Sequence, residues 1–206
     1  MKRNRLMIRL LPLLLVLLLP LLPAPFAMAA PDALKSGVFE PPRAAPALAL
    51  PATGGKPFKL ADYRGKVVIL EFGYTHCPAV CPVTLAALAQ ARARLGPLAD
   101  QVQVVFVTVD PVRDTAPHLA GYLANFDRSF IGLTGTAQQH DAVMAAYGIT
   151  ATKVPMAGNV GYAVNHSSYL YFIDKRGMLR ALMPFGRPAA EIAHDARVLL
   201  QEGAHD

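Results

Sequence analysis

The sequence predicts an α/β fold: a mostly parallel central sheet, helices on both faces and a hairpin at its N-terminal side. Three observations predict it. Val67–Phe72 and Val102–Val109 are near-continuous apolar, β-branched runs of strand length, the pattern of strands buried on both faces. Segments with helical spacing of apolar residues separate them and follow them. The resulting order, β-α-β-α-β-α-β-β-α, alternates strands with helices until a closing hairpin adds an antiparallel edge.

The first residues, MKRNRLMIR, carry Lys2, Arg3, Arg5 and Arg9, and no charge follows from Leu10 to Pro31. Ala27-Met28-Ala29 offers a small-residue cleavage site, so residues 1–29 read as a secretory signal peptide with the break before Ala30. An uncleaved anchor is the alternative, which would tether the chain to a membrane. Pro20, Pro23 and Pro25 interrupt the apolar stretch and favour cleavage. Setting the leader aside leaves 16 basic against 14 acidic residues, without a basic run or stripe, so a nucleic-acid partner is excluded. The chain is expected in the periplasm or an equivalent exported compartment, as a monomer.

Residues 30–47 are rich in Pro and Ala and lack periodicity, which predicts a flexible tether. The domain is expected over residues 48–206. Thr53-Gly54-Gly55-Lys56 is a turn between short alternating segments within Leu48–Leu60, a hairpin signal. After the first buried strand, Leu85, Leu88 and Leu95 mark a helix over 83–95, ended by Gly96-Pro97. Asp110-Pro111 stops the second buried strand. Pro117–Ala124 reads as a helix with proline in its first turn, and Phe130–Leu133 as a short strand. Thr136 is placed to cap a helix that runs to Tyr147 and closes at Gly148. Tyr169–Ile173 and Met178–Met183 flank a Gly-containing turn, and a last amphipathic helix spans 188–201.

The only two cysteines, Cys77 and Cys81, lie between the first buried strand and its helix. A disulfide closing so short a loop would add little to stability, so the pair points to chemistry. A helix N-terminus favours negative charge and therefore the thiolate, the form that binds metal or attacks a disulfide. If residues 77–81 follow a helical turn, both sulfurs can face one ion. Two thiolates suit Cu(I) or zinc, and a third ligand would complete a trigonal copper site. The pair alone does not separate metal binding from disulfide exchange, and buried structural thiols are the bland alternative.

Six histidines could supply the third ligand. His205 is in the C-terminal tail. His118, His140 and His194 fall in helices and read as ordinary, partly exposed residues. His76 adjoins Cys77, but neighbouring side chains diverge. His166 sits in a loop before the strand Tyr169–Ile173. In a thioredoxin-like fold that loop faces the helix carrying the cysteines. The residues alone leave the choice open.

Taken together, GYTHCPAVCPVTL, VVFVTVDPVRDTAP, FIGLTGT and VNHSSYLYFID resemble, in order over about residues 48–200, the SCO/SenC family of copper chaperones for cytochrome oxidase assembly. The resemblance implies a thioredoxin-like fold and one copper ion held by Cys77, Cys81 and His166. It also implies Asp110 as a supporting residue and the binuclear copper site of oxidase subunit II, or another copper protein, as partner. Two positions depart from the family pattern: Ala79 and Asn165 stand where an acid is common. Both make the site less negative, which should lower the thiol pKa values and favour Cu(I) over Cu(II), unless solvent screening removes the effect.

Copper delivery is weighed against two other functions on the same fold. One is a thiol–disulfide oxidoreductase that reduces the oxidase cysteines before metallation; the other is a thiol peroxidase. Oxidoreductases of this fold use a two-residue cysteine spacing and a proline entering the late strand. Here the spacing is three, and the corresponding stretch is His166-Ser167-Ser168. A histidine beside a dithiol serves a metal more than it serves exchange, so delivery is the preferred reading.

Overall fold

The structure, a computed structural model, describes residues 33–159 and 161–202. The expected leader and His205 lie outside the described residues. Among the described residues, no helix is long and apolar enough to cross a membrane.

The first element is a strand where a tether was expected. β1 (Gly37–Ala44) pairs antiparallel with the last strand of the sheet, Gly37 opposite Leu182 and Ala44 opposite Met178. Its pairing slips between Val38 and Arg43, around Pro41 and Pro42. Prolines cannot donate to a ladder, which confines them to edge strands and irregularities and hides such a strand from periodicity. β2 (Ala49–Pro51) and β3 (Pro57–Lys59) form the expected hairpin, which buries Leu50 and Phe58.

β4 (Val67–Gly73) is buried at every residue. It leads through residues 74–79 into α1 (Val80–Leu95), which starts three residues earlier than its apolar spacing indicated. β5 (Val102–Thr108) runs parallel to β4 with Val67 opposite Val102. α2 (Ala116–Ala124) and β6 (Ile131–Leu133) follow, β6 parallel to β5. α3 (Ala137–Tyr147) has both halves of a capping box, Thr136 with Gln139, and ends at Gly148 with φ of 67°.

Two strands then appear that period-2 alternation did not reveal. β7 (Ala151–Pro155) and β8 (Tyr162–His166) make a separate antiparallel hairpin, Ala151 opposite His166. β7 is almost wholly exposed, so it has no buried face for sequence alternation to report. β9 (Tyr169–Ile173) and β10 (Met178–Pro184) return to the main sheet, and α4 (Ala189–Gln201) is the last described element.

The six strands lie in the order β1-β10-β9-β4-β5-β6. β4, β5 and β6 are parallel; β9, β10 and β1 add three antiparallel pairings, so the sheet is mixed rather than mostly parallel. Helices do cover both faces. Tyr147 of α3 packs against Phe72 and Tyr171, with ring centroids 5.5 and 5.7 Å away. Glu71, which neighbours Phe72 and so points to the opposite face, lies under α1 and α4. Fully burying Phe72, Phe106 and Phe172 contributes roughly 1.5–3 kcal/mol each.

Candidate metal centre

Gly73 ends β4 where the chain turns toward the cysteines. A Cβ there would lie 2.9 Å from the Cys81 sulfur and 2.8 Å from the Phe106 ring. Only glycine lets α1 lay Cys81 this close to the strand, a use of glycine in a strand that marks close approach. Cys77 is half-buried, and Cys81 is fully buried in the first turn of α1. Both are free thiols. The Cys81 amide donates to the Cys77 sulfur at 3.4 Å, which brings the sulfur over the N-terminus of α1. Cys77 itself precedes the helix, and Ala79 is non-helical (φ −141°, ψ −60°), so residues 77–81 do not form the helical turn that the spacing allowed.

That geometry separates the two thiols. Burial pushes the Cys77 thiol up, but backbone N–H groups of Cys81, Ala79 and Val80 and the Cys81 thiol itself outweigh it, and the net shift is down. Cys81 goes strongly up, first from burial and then from the carboxylate of Glu71. Glu71 is itself buried, and its Oε2 has no hydrogen-bond partner in the structure. Burial, and then the Cys77 thiolate, raise its pKa well above the ordinary range. The apolar run Val67–Phe72 gave no sign that its one acid lies beside the thiols.

His166 is brought to Cys81 from 85 residues away, its Nε2 3.8 Å from the sulfur. It ends β8 rather than lying in a loop. Its Nδ1 lies 2.9 Å from the Ser167 carbonyl. A carbonyl only accepts, so Nδ1 carries the proton and Nε2 keeps a free lone pair. Burial lowers the His166 pKa, which holds the ring neutral.

Asp110 acts on this arrangement through β8. Its side chain is fully buried, accepts from Tyr162 Oη at 2.8 Å and from Arg113 Nε, and fixes the start of the strand. Arg113 in turn donates to the Tyr162 carbonyl at 2.9 Å and lies 3.9 Å over the Tyr162 ring. Tyr74, in the cysteine loop, accepts from the Val164 amide at 3.2 Å and meets the His166 ring edge-on, centroids 5.8 Å apart. Sequence reasoning missed Tyr74, Arg113 and Tyr162. Their types are ordinary, and only the long-range contacts mark them.

His76 turns to Thr75, Asp114 and His118. His118 is exposed on α2, whereas His140, expected to be partly exposed, is 1% exposed within α3. Ala79 and Asn165 are both exposed. A groove of about 470 Å³ opens beside His166, between α1, α4 and the ends of β9 and β10. Val83, Tyr169 and Phe185 on its walls are large apolar side chains left exposed.

The sequence profile of the SCO1/SenC family matches residues 40–201. The mitochondrial SCO2 homolog of Bos taurus is 37% identical over 139 residues, 66% of this chain and 52% of that protein. Mitochondrial SCO2 of Saccharomyces cerevisiae is 38% identical over 125 residues, 60% of this chain and 42% of that protein. The chain spans about half the length of such curated relatives. Among solved structures, Bradyrhizobium japonicum ScoI with copper bound superposes with a TM-score of 0.70 at 32% identity, covering 75% of this chain and 98% of that one. Yeast Sco1 with copper bound gives 0.68 at 26% identity, covering 78% and 90%.

Proposed function

This chain belongs to the SCO1/SenC family, and from that premise we propose that it is an exported copper carrier. It holds one copper ion through Cys77, Cys81 and His166 and delivers it to the binuclear copper site of cytochrome c oxidase subunit II. One observation carries the reading. The free Nε2 lone pair of His166 is directed at the buried Cys81 sulfur, four residues on from the more acidic Cys77. Two thiols and a neutral imidazole are a soft, three-membered donor set that suits Cu(I). Copper-bound relatives of the same fold support the choice of metal.

The residues divide the work. Cys77 supplies the first thiolate. Cys81 must lose its proton as the metal is taken up, because burial and Glu71 hold it as a thiol otherwise. His166 closes the site from β8, and Asp110 holds β8 in place. The groove beside His166 supports hand-over, since its exposed apolar walls offer a partner a docking face next to the metal.

A second reading is favoured by the same thiol asymmetry. An accessible, more acidic Cys77 beside a buried, less acidic Cys81 is the arrangement of an attacking and a resolving thiol. Cys77 would attack a partner disulfide, Cys81 would then displace the partner, and two electrons and two protons would pass to it. Anaerobic titration of the reduced chain with Cu(I) against a competing chelator tests the first reading. One tightly held equivalent is expected, and failure to compete at all would leave exchange as the better account. The chain's export, with cleavage before Ala30, is tested by N-terminal sequencing of native material. Retention of Met1 would favour a membrane anchor.

A further inference from the structure

We propose a second metal site, made by His76, Asp114 and His118, which takes one divalent first-row transition ion. It shares no residue with the thiol site, and the proposal does not depend on what that site binds. The ligand atoms of these three residues all lie within 4.8 Å of one another. They come from three separate elements: the cysteine loop, the turn after β5, and the first turn of α2.

The hydrogen bonds around the cluster gather its three ligand atoms about one hydroxyl, that of Thr75. Asp114 is fully buried. Its Oδ2 accepts from Thr75 N at 3.1 Å and from Thr108 Oγ1 at 2.6 Å, so both lone pairs are engaged and the carboxylate is fixed. Its Oδ1 accepts from Thr75 Oγ1 at 2.6 Å and keeps one lone pair. That bond uses the hydroxyl proton of Thr75 and leaves the oxygen two lone pairs that accept from N–H groups. His76 Nδ1 and His118 Nε2 each stand 3.0 Å from the same Thr75 oxygen and can each donate to it; a shift of the proton to the other ring nitrogen frees the lone pair for a metal. Two imidazole nitrogens and a carboxylate oxygen thus gather around the Thr75 hydroxyl, beside a buried carboxylate that cannot turn away.

The donor set matches a divalent ion. Imidazole and carboxylate suit zinc, copper(II) and nickel(II), and three protein ligands with an open fourth position is a recurrent zinc arrangement. Ligand atoms on a tetrahedral ion with bonds of about 2.05 Å sit roughly 3.4 Å apart. His76 Nδ1 and Asp114 Oδ1 are 3.9 Å apart and all three ligand atoms lie within 4.8 Å, so rotation of the two exposed rings inward, with the Thr75 hydroxyl turned aside, would bring them to that spacing. Both histidines are on the surface, which gives the ion access, and Thr75 and Thr108 supply the outer hydrogen bonds that orient a ligating carboxylate.

The test uses the full chain carrying Cys77→Ser and Cys81→Ser, titrated with Co²⁺ and, by competition, with Zn²⁺. One equivalent should bind, with a visible ligand-field spectrum and no sulfur charge-transfer band. Adding His118→Ala should weaken binding on the order of tenfold or more, with the circular dichroism and melting temperature unchanged, because His118 is exposed. Imidazole NMR signals of His76 and His118 should shift with Zn²⁺ while that of His166 does not. Absence of saturable binding overturns the proposal. So does binding that His118→Ala leaves intact, or Zn²⁺ shifts confined to other histidines.

Discussion

His166 Nε2 stands 3.8 Å from the Cys81 sulfur, while His166 Nδ1 is held at 2.9 Å by the carbonyl of Ser167. The pairing selects the tautomer that leaves a lone pair toward the thiol. His166→Ala should therefore spare the fold and weaken Cu(I) binding at least as much as loss of an outer-shell partner does, about 10–100-fold. His76→Ala should change Cu(I) affinity much less. Competition titrations of both variants check this; a larger loss at His76 would refute the assignment.

Thiol reactivity should be ordered. In the reduced, metal-free chain Cys77 should be alkylated at a pH below that of an ordinary thiol, about 8.5. Cys81, buried and beside Glu71, should resist well above it. Mass spectrometry of chains labelled across a pH series reads both residues separately. Equal labelling of the two would show that the amides at the start of α1 do not act on Cys77.

Oxidation should switch metal binding off. A Cys77–Cys81 disulfide removes both thiolates, so the oxidised chain should bind no Cu(I) at the thiol site and should recover one equivalent on reduction. Undiminished Cu(I) affinity in the oxidised chain would show that the sulfurs are not ligands.

Asp110 should matter through Tyr162 and Arg113. Asp110→Asn leaves Arg113 without its buried partner, an expected cost of about 1–3 kcal/mol. Copper affinity should fall as well, because β8 and His166 lose their anchor. Tyr162→Phe should reproduce part of both losses. Denaturant unfolding and copper competition on the same samples separate stability from positioning; loss of stability with unchanged affinity would remove Asp110 from the site.

Glu71 should make stability depend on pH. An acid whose pKa is raised by folding takes up its proton more readily in the folded state, so the stability it contributes is present below the unfolded value. It is lost as pH rises toward the folded value. Glu71→Gln should flatten that dependence, stabilising the chain more at about pH 8 than at about pH 5, and should make Cys81 easier to alkylate. Parallel unfolding curves for the two chains would show that the buried carboxyl is not strained.

The exposure of Ala79 and Asn165 supports the screened alternative for the two missing acids. Both side chains are solvent-exposed, where screening weakens their field at the thiols.

The sequence by itself determined the elements whose causes are local. Unbroken β-branched runs became β4 and β5. Thr136 capped α3 and Gly148 ended it. These signals act within about a turn of chain, so they are visible in a short window. Other features were decided only by tertiary structure. A proline-rich segment became an edge strand because β10 had an open side. Which of the five described histidines reached the sulfur was set by Asp110, Arg113, Tyr162 and Tyr74 clamping β8, contacts that span up to 90 residues. The ordering of the two thiols, and the raised pKa of Glu71, follow from desolvation and from charges brought close by the fold. Desolvation has no counterpart in the unfolded chain, where every one of these groups meets water.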